Sequence, residues 1–67
     1  MYFVVEIQIN KDGTAGNIIN SYADSATAQN KYYTILAAAA VSNVAKHGAV
    51  MFTEEGFIAR ECFHHDS

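Results

Sequence analysis

The residues with the most obvious potential for chemistry lie together near the carboxyl end of the chain. Cys62, His64, His65 and Asp66 are types that bind metal ions. Cys62 and His64 would share one side of an extended strand, but a zinc site needs three or four ligands in a defined geometry. Only His47 remains elsewhere as a donor of a similar type. We therefore predict a polar terminus, with no metal site and no cofactor.

Catalysis by cysteine or by paired acids is disfavoured for similar reasons. A nucleophilic Cys62 would need a base fixed beside it, and His64 would only lie next to it along a strand. A small buried hydrophobe is the expected role of this cysteine. Glu54 and Glu55 precede Gly56 and are typical of a solvated turn. The sequence contains neither a nucleophile elbow nor a glycine-rich phosphate loop, so we predict no catalytic residues and a protein that is not an enzyme.

The aromatic content favours binding instead, with four tyrosines and four phenylalanines in a short chain. Tyrosine can stack on a base or an apolar ring and still offer a hydroxyl, and arginine can pair with phosphate through two hydrogen bonds. A groove between subunits could hold a nucleotide-sized ligand in this way. The candidate ligand-binding residues are Arg60, Tyr2, Tyr22, Gln8 and Asn20. The alternative is that Tyr32 lies in the core and that Tyr2 and Tyr22 complete a sheet edge or a dimer contact.

Length, charge and composition indicate a single small domain over residues 1–67. The chain of 67 residues is 51% hydrophobic and 16% charged, which is typical of a globular protein. So short a chain needs disulfides, metal or oligomerisation for comfortable stability, and its single cysteine excludes an internal disulfide. We therefore predict that another subunit supplies the missing stabilisation.

The same features restrict the partners and the location. The net charge is −3 and the four cations are scattered, which disfavours binding to duplex nucleic acid, although a dimer could bring two copies of Arg60 around one small anion. The amino-terminal segment lacks the charged leader of a secretory signal, and the apolar run Ile35–Val41 is far shorter than the roughly 20 residues that span a bilayer. A cytoplasmic protein without membrane contact is expected.

The periodicity predicts two hairpins that flank one helix. Apolar residues alternate from Tyr2 to Asn10, a turn follows at 10–13, and Asn17–Tyr22 returns as the second strand. A helix should begin after an N-cap at Asp24 or Ser25 and run to about Asn43 or Ala45, with Lys46–Gly48 as its exit and Gly48 as a left-handed cap. Strands 49–53 and 57–64 should form the second hairpin. Phe57, Ala59, Glu61 and Phe63 are expected on one face of the last strand, and Ile58, Arg60, Cys62 and His64 on the other.

The predicted fold is α+β, a ββαββ arrangement with a four-stranded antiparallel sheet and one helix packed across it. The sequence leaves the strand order open. The second half of the helix has almost no polar side, since Ala37, Ala38 and Val41 stand where polar residues are expected. Small side chains there would let another backbone approach closely. These three residues are the predicted oligomer interface.

The sequence resembles a group of short phage and prophage proteins of Gram-positive gut bacteria. The resemblance depends on the strand end at 10–13 and on the segment from Tyr22 through Lys31-Tyr32-Tyr33 and the alanine-rich helix to Ser42. That group is itself uncharacterised, so no site residue is carried over. The resemblance implies a viral or prophage context and a bacterial host cytoplasm.

Two classes of function follow from these expectations. In the first, a homo-oligomer, a dimer or larger, acts without chemistry as an anti-defence protein that sequesters a nucleotide-like signal or binds a host protein. In the second, the protein is a structural or assembly accessory of the virion. A preformed pocket at a subunit boundary would favour the first class, and a broad apolar patch left exposed after dimerisation would favour the second.

Overall fold

The computed structural model describes residues 1–65 and has four strands and one helix in the order ββαββ within that range. The strands are β1 (Tyr2–Ile9), β2 (Ala15–Tyr22), β3 (Lys46–Thr53) and β4 (Gly56–His64), and the helix is α1 (Ser25–Ala40). All strand pairs are antiparallel and the order across the sheet is β2-β1-β3-β4. The predicted α+β fold is confirmed, and the two hairpins meet through β1 and β3 at the centre of the sheet.

The first hairpin closes at the predicted turn. The backbone N–H of Asn10 donates to the carbonyl of Thr14 at 2.8 Å, and Gly13 has a φ of 91°, a left-handed conformation that suits glycine. The Asp12 carboxylate accepts from the backbone N–H and the hydroxyl of Thr14 at 3.0 and 2.7 Å. These bonds extend the ladder to the turn, so β2 begins at Ala15 and not at the predicted Asn17.

Helix α1 begins as predicted but ends early. Asp24 is the N-cap, and its carboxylate accepts from the backbone N–H of Thr27 at 2.8 Å. The last helical residue is Ala40, and Val41 follows as the C-cap with a φ of −114°. The predicted end at Asn43 or Ala45 is therefore wrong, because the chain turns over residues 41–45 to bring β3 alongside β1.

The predicted helix exit at Lys46–Gly48 is also wrong. These residues begin β3, where Lys46 pairs with Ile9 and Gly48 pairs with Ile7. Gly48 has no positive φ and is not a helix cap. The third strand is consequently three residues longer at its start than the predicted 49–53, and β3 matches β1 along its whole length.

Helix α1 packs on the face of the sheet that carries Val4. The core on this side contains Val4, Ala49 and Met51 from the sheet and Ala28, Tyr32 and Ile35 from the helix. Ala28 and Ala39 are completely buried, and their small side chains let the helix approach the strands closely. The alternation predicted for β1 is confirmed, but its four apolar residues Phe3, Val5, Ile7 and Ile9 point to the opposite face, as the register with β3 shows.

A register irregularity in the second hairpin changes the faces of β4. It falls between Met51 and Phe52, so that Met51 pairs with Ala59 while Phe52 pairs with Phe57. Phe57 therefore lies on the same face as Arg60, which corrects the predicted grouping of Phe57 with Ala59. Such a bulge inserts one extra residue and reverses the alternation beyond it.

Within residues 1–65, no helix combines the length and the hydropathy that are needed to cross a membrane.

Candidate functional site

The candidate site lies on the side of the sheet opposite α1, which we call the open face. Its centre is formed by apolar side chains of β1 and β3, which the register aligns in cross-strand rows. These central residues are Phe3, Val5, Ile7, Ile9, Val50 and Phe52. Polar side chains occur on the outer strands and at one end, and they are Asn17, Ser21, Lys46, Arg60 and His64. An apolar centre with a polar rim is the usual composition of a protein interface.

Several apolar side chains of the open face remain accessible to solvent. Ile19 is 62% exposed, Phe57 is 61% exposed and Ile7 is 38% exposed. Phe3 and Phe52 stack with their ring centroids 5.3 Å apart, and the register places Phe57 beside Phe52. Exposed apolar side chains that lie close together on one face are a common feature of binding surfaces.

A concave pocket of about 400 Å³ lies within the open face, where β1, β3 and β4 run together. Its lining includes Ile7, Ile9, Gly48, Val50, Arg60 and Cys62. Gly48 is a point of close strand contact in this lining: a Cβ there would lie 2.8 Å from the Cα of Cys62 and closer still to the carbonyl oxygen of Glu61. Strand β4 can come this close to β3 only because residue 48 has no side chain.

Positive charge dominates this face although the whole chain is acidic. Two cationic residues, Arg60 and Lys46, and one acidic residue, Glu61, line the pocket. The guanidinium carbon of Arg60 lies 5.8 Å from the centroid of the Phe57 ring, a cation–π contact. The register places Glu6 and Glu61 on the side of α1. The other acidic residues of the part that the structure describes lie outside the strands, and they are Asp12, Asp24, Glu54 and Glu55. No described strand thus presents a carboxylate to the open face.

The other side of the sheet holds a buried pair of ionisable residues. His47 is only 5% exposed, and its Nε2 lies 2.7 Å from Oε2 of Glu6, which also accepts from the Gln8 amide at 3.2 Å. The hydrogen bond from His47 is the main reason that the pKa of Glu6 lies below its usual value. Nδ1 of His47 is buried and has no hydrogen-bond partner among residues 1–65. In a catalytic pair the nitrogen remote from the carboxylate faces the substrate. In this pair that nitrogen, Nδ1 of His47, is buried, which is the geometry of a structural pair.

The structure distributes the predicted ligand-binding residues over both faces. Arg60 is at the pocket on the open face, whereas Tyr2, Tyr22, Gln8 and Asn20 have register positions on the side of α1. Tyr2 and Tyr22 pair with each other and pack against the core, and Gln8 donates to Glu6. The five residues do not converge on one site within a subunit.

The predicted interface residues of the helix lie on its outer surface. Ala37 and Ala38 are exposed, and Val41 is 86% exposed immediately after the helix. The neighbouring Tyr33 is 64% exposed. This surface is accessible to a partner, and its role as an interface stays a prediction.

Most residues that line the pocket are not identified by sequence patterns. Cys62 was expected to be a small buried hydrophobe, but it is exposed and lines the pocket, because the open face has no covering layer in a single chain. Ile7 and Ile9 were recognised only as part of an alternating strand. The sequence does contain one indication of the open face. Strand β1 has apolar residues on both of its faces, with Val4 on one face and the set that begins at Phe3 on the other.

One of the histidines near the carboxyl end, His65, makes a hydrogen bond to the end of α1. Nε2 of His65 donates to the carbonyl oxygen of Ala39 at 2.8 Å, near the negative end of the α1 dipole. Among residues 1–65 no group of three or more potential metal ligands occurs. Asp66, the remaining residue of the Cys62–Asp66 group with a ligand-type side chain, lies outside the described residues.

Comparison with known proteins adds no functional assignment. No protein-family model, curated protein or solved structure matches this chain. The open face and its pocket are therefore the features of this protein that bear on its function.

Proposed function

We propose that this protein is a non-enzymatic binding protein that works as a homo-oligomer and associates through the open face. The observation that carries the proposal is the apolar centre of that face, which no element of the described chain covers. Two copies that pack face to face would form two layers of sheet about 10 Å apart. Each copy would then shield the apolar rows of the other.

The size of the face is appropriate for a dimer. Four strands about 4.8 Å apart and eight residues at about 3.3 Å per residue give a flat area of roughly 500 Å². Side chains that project from the face add to this area. Interfaces of standard size bury about 800 Å² on each partner, and smaller ones begin near 600 Å². The open face therefore belongs near the lower end of stable interfaces, in a protein with a total accessible surface of 4295 Å².

The small core provides an independent reason for association. Six buried residues form the core between α1 and the sheet, and two of them are alanines. Domains of this length bury only about 60% of the surface that the unfolded chain exposes, and oligomerisation is a common remedy. Pairing through the open face would add a second apolar layer on the other side of the sheet.

We propose an anti-defence role in a bacterial host cytoplasm as the biological setting, with a nucleotide-like signal or a host protein as the target. Support for this setting comes from the resemblance of the Lys31-Tyr32-Tyr33 segment and the alanine-rich helix to phage and prophage proteins. Support for a small target comes from the preformed pocket with Arg60 at the proposed subunit boundary.

The outer surface of α1 favours a second candidate, a structural or assembly accessory of the virion. If two open faces pair, Tyr33 and Val41 remain exposed on the far side of each subunit. A further apolar surface allows dimers to associate into larger assemblies. Ala38→Glu and Val41→Glu should then prevent growth beyond the dimer, and growth that persists in both variants would exclude the helix as the contact.

Sedimentation of matched isoleucine variants tests the proposed interface. Ile18 and Ile19 are neighbours on β2 with 56% and 62% exposure, but they point to opposite faces of the sheet. Ile19→Lys should convert a dimer to a monomer, because it places a charge in the interface, while Ile18→Lys should leave the dimer intact. Circular dichroism should show that both variants fold.

Three results of this experiment would contradict the proposed interface. These are a monomeric wild-type protein, a dimer that survives Ile19→Lys, and equal dissociation by both lysine variants. Dissociation by Ala38→Glu with no effect of Ile19→Lys would place the interface on the helix.

A further inference from the structure

We propose that the pocket on the open face binds a small organic anion with a hydrocarbon body, and that Arg60 pairs with its anionic group. The inference deepens the proposed function, because the second subunit would close the pocket over the ligand. It assigns an amphipathic ion to this pocket in place of the nucleotide-like ligand that the sequence predicts. The lining, the charge and the volume of the pocket each favour such a ligand.

The lining favours a hydrocarbon body over a polar one. Ile7, Ile9 and Val50 contribute aliphatic side chains, and Gly48 contributes bare backbone in the middle of the pocket. A nucleobase needs several hydrogen-bond partners at its edges when it leaves water, and leaving them unpaired reduces affinity. An alkyl chain has no such requirement and gains from every methylene that it buries.

The charge of the open face favours an anion. Arg60 is held beside the pocket by the Phe57 ring, and Lys46 also lines it. The one acidic residue of the lining, Glu61, has a register position on the side of α1, so the cations outnumber it at the pocket. Face-to-face pairing would bring two such cationic surfaces together and remove water from them. Like charges in that position oppose association unless a counter-charge is present. A carboxylate or phosphate on the ligand would supply it.

The volume sets the size of the ligand. At about 30 Å³ per non-hydrogen group, the density of liquid water, a pocket of about 400 Å³ holds about a dozen such groups. Decanoate has this size. Decanol retains the hydrocarbon body without the charge, acetate retains the charge without the body, and AMP represents a nucleotide. Comparison of these four compounds separates the contribution of the hydrocarbon body to binding from that of the anionic group.

Titration of the wild-type protein with these compounds, followed by amide NMR shifts and by the reaction rate of Cys62 with a thiol reagent, tests the proposal. The sequence has one cysteine, and it lines the pocket, so protection of the thiol reports occupancy directly. Decanoate should shift the amides around Gly48 and slow the thiol reaction. Decanol and acetate should bind at least about tenfold more weakly, since each lacks one of the two interactions.

Variants test the role of the arginine. Arg60→Gln should weaken decanoate binding about tenfold or more, because it removes a charge-assisted hydrogen bond. Lys11→Gln is the matched control, since Lys11 is exposed in the β1–β2 turn and does not line this pocket. Equal affinity in Arg60→Gln and wild type, equal binding of decanol, or tighter binding of AMP would each overturn the proposal.

Sedimentation of the same samples separates this proposal from the proposed function. A dimer that binds none of the four compounds would overturn the ligand and leave the association through the open face. A monomer that binds decanoate through Arg60 would confirm the pocket and overturn the association.

Discussion

The imidazole of His47 lies 2.7 Å from the carboxylate of Glu6 and joins β3 to β1 on the side of the sheet that α1 packs against. His47 is buried and Glu6 is nearly so, with side-chain exposures of 6% and 16%. The hydrogen bond stabilises the ionised carboxylate, so the pKa of Glu6 is lower in the folded protein than its usual value of 4.5. The pair thus makes the stability of the sheet sensitive to acid.

The first prediction concerns this acid sensitivity. A carboxyl group with a depressed folded pKa stabilises the protein above its unfolded value near 4.5, and this stabilisation is lost as the pH falls through the lower folded value. Glu6→Gln should therefore be less stable than wild type at pH 7, and the difference should shrink toward pH 3. Urea unfolding at several pH values measures it.

Two features of the chain make that comparison specific. Asp12, Asp24 and Glu54 also have lowered pKa values, through hydrogen bonds that Glu6→Gln does not touch, and they contribute equally to both proteins. Glu55→Gln, at an exposed turn position, should follow the wild-type pH dependence. A stability difference between Glu6→Gln and wild type that is independent of pH would show that ionisation of Glu6 does not cause the acid sensitivity.

The second prediction concerns the close approach of β3 and β4. Gly48→Ala would place a Cβ against the backbone at Glu61 and Cys62, and the strands would have to separate. We expect a loss of about 1–3 kcal/mol in the free energy of unfolding, the usual cost of overpacking. Gly16→Ala is the control, because nothing lies within 4 Å of its Cβ position and its φ is not positive. Equal urea midpoints for the two variants would refute the close-approach argument.

The third prediction concerns the packing of α1 on the sheet. Ala28 is completely buried between helix and strands, so Ala28→Leu should force the two layers apart and cost about 1–3 kcal/mol. Ala26→Leu changes an exposed position in the same turn and should alter stability by less than about 0.5 kcal/mol. Thermal unfolding of the pair measures the difference. Similar melting temperatures would mean that the helix tolerates a larger side chain at its contact with the sheet.

Much of the local structure could be predicted from the sequence because single residues determine it. The alternation in β1, the turn at Gly13 and the N-cap at Asp24 each follow from a local preference, and each is confirmed. The end of the helix was misplaced, because residues 41–45 contain neither glycine nor proline to mark it. The sequence predicts that Gly48 is a helix cap, whereas its lack of a side chain allows close contact with the backbone of the following strand, β4.

The candidate site could not be predicted for a related reason. Periodicity shows which residues of β1 share a face, but the side on which the helix packs depends on the fit of the entire helix to the sheet. Small residues such as Ala28 and Ala39 fit against the Val4 side and leave the apolar set of Phe3 uncovered. The bulge beside Phe52 then moved Phe57 to the same face, a shift that no local pattern in β4 indicates.

The pairing of β1 with β3 determines when the fold can form during synthesis. The first hairpin and α1 are synthesised before any residue of β3. Until β3 is available, the edge of β1 that pairs with it has no partner strand. Tyr2 finds its partner only when Thr53 has been added, and the sheet is completed only after β4 follows. During that interval β3 of another copy of the chain could pair with this edge of β1. Such a pairing would exchange the second hairpin between two chains.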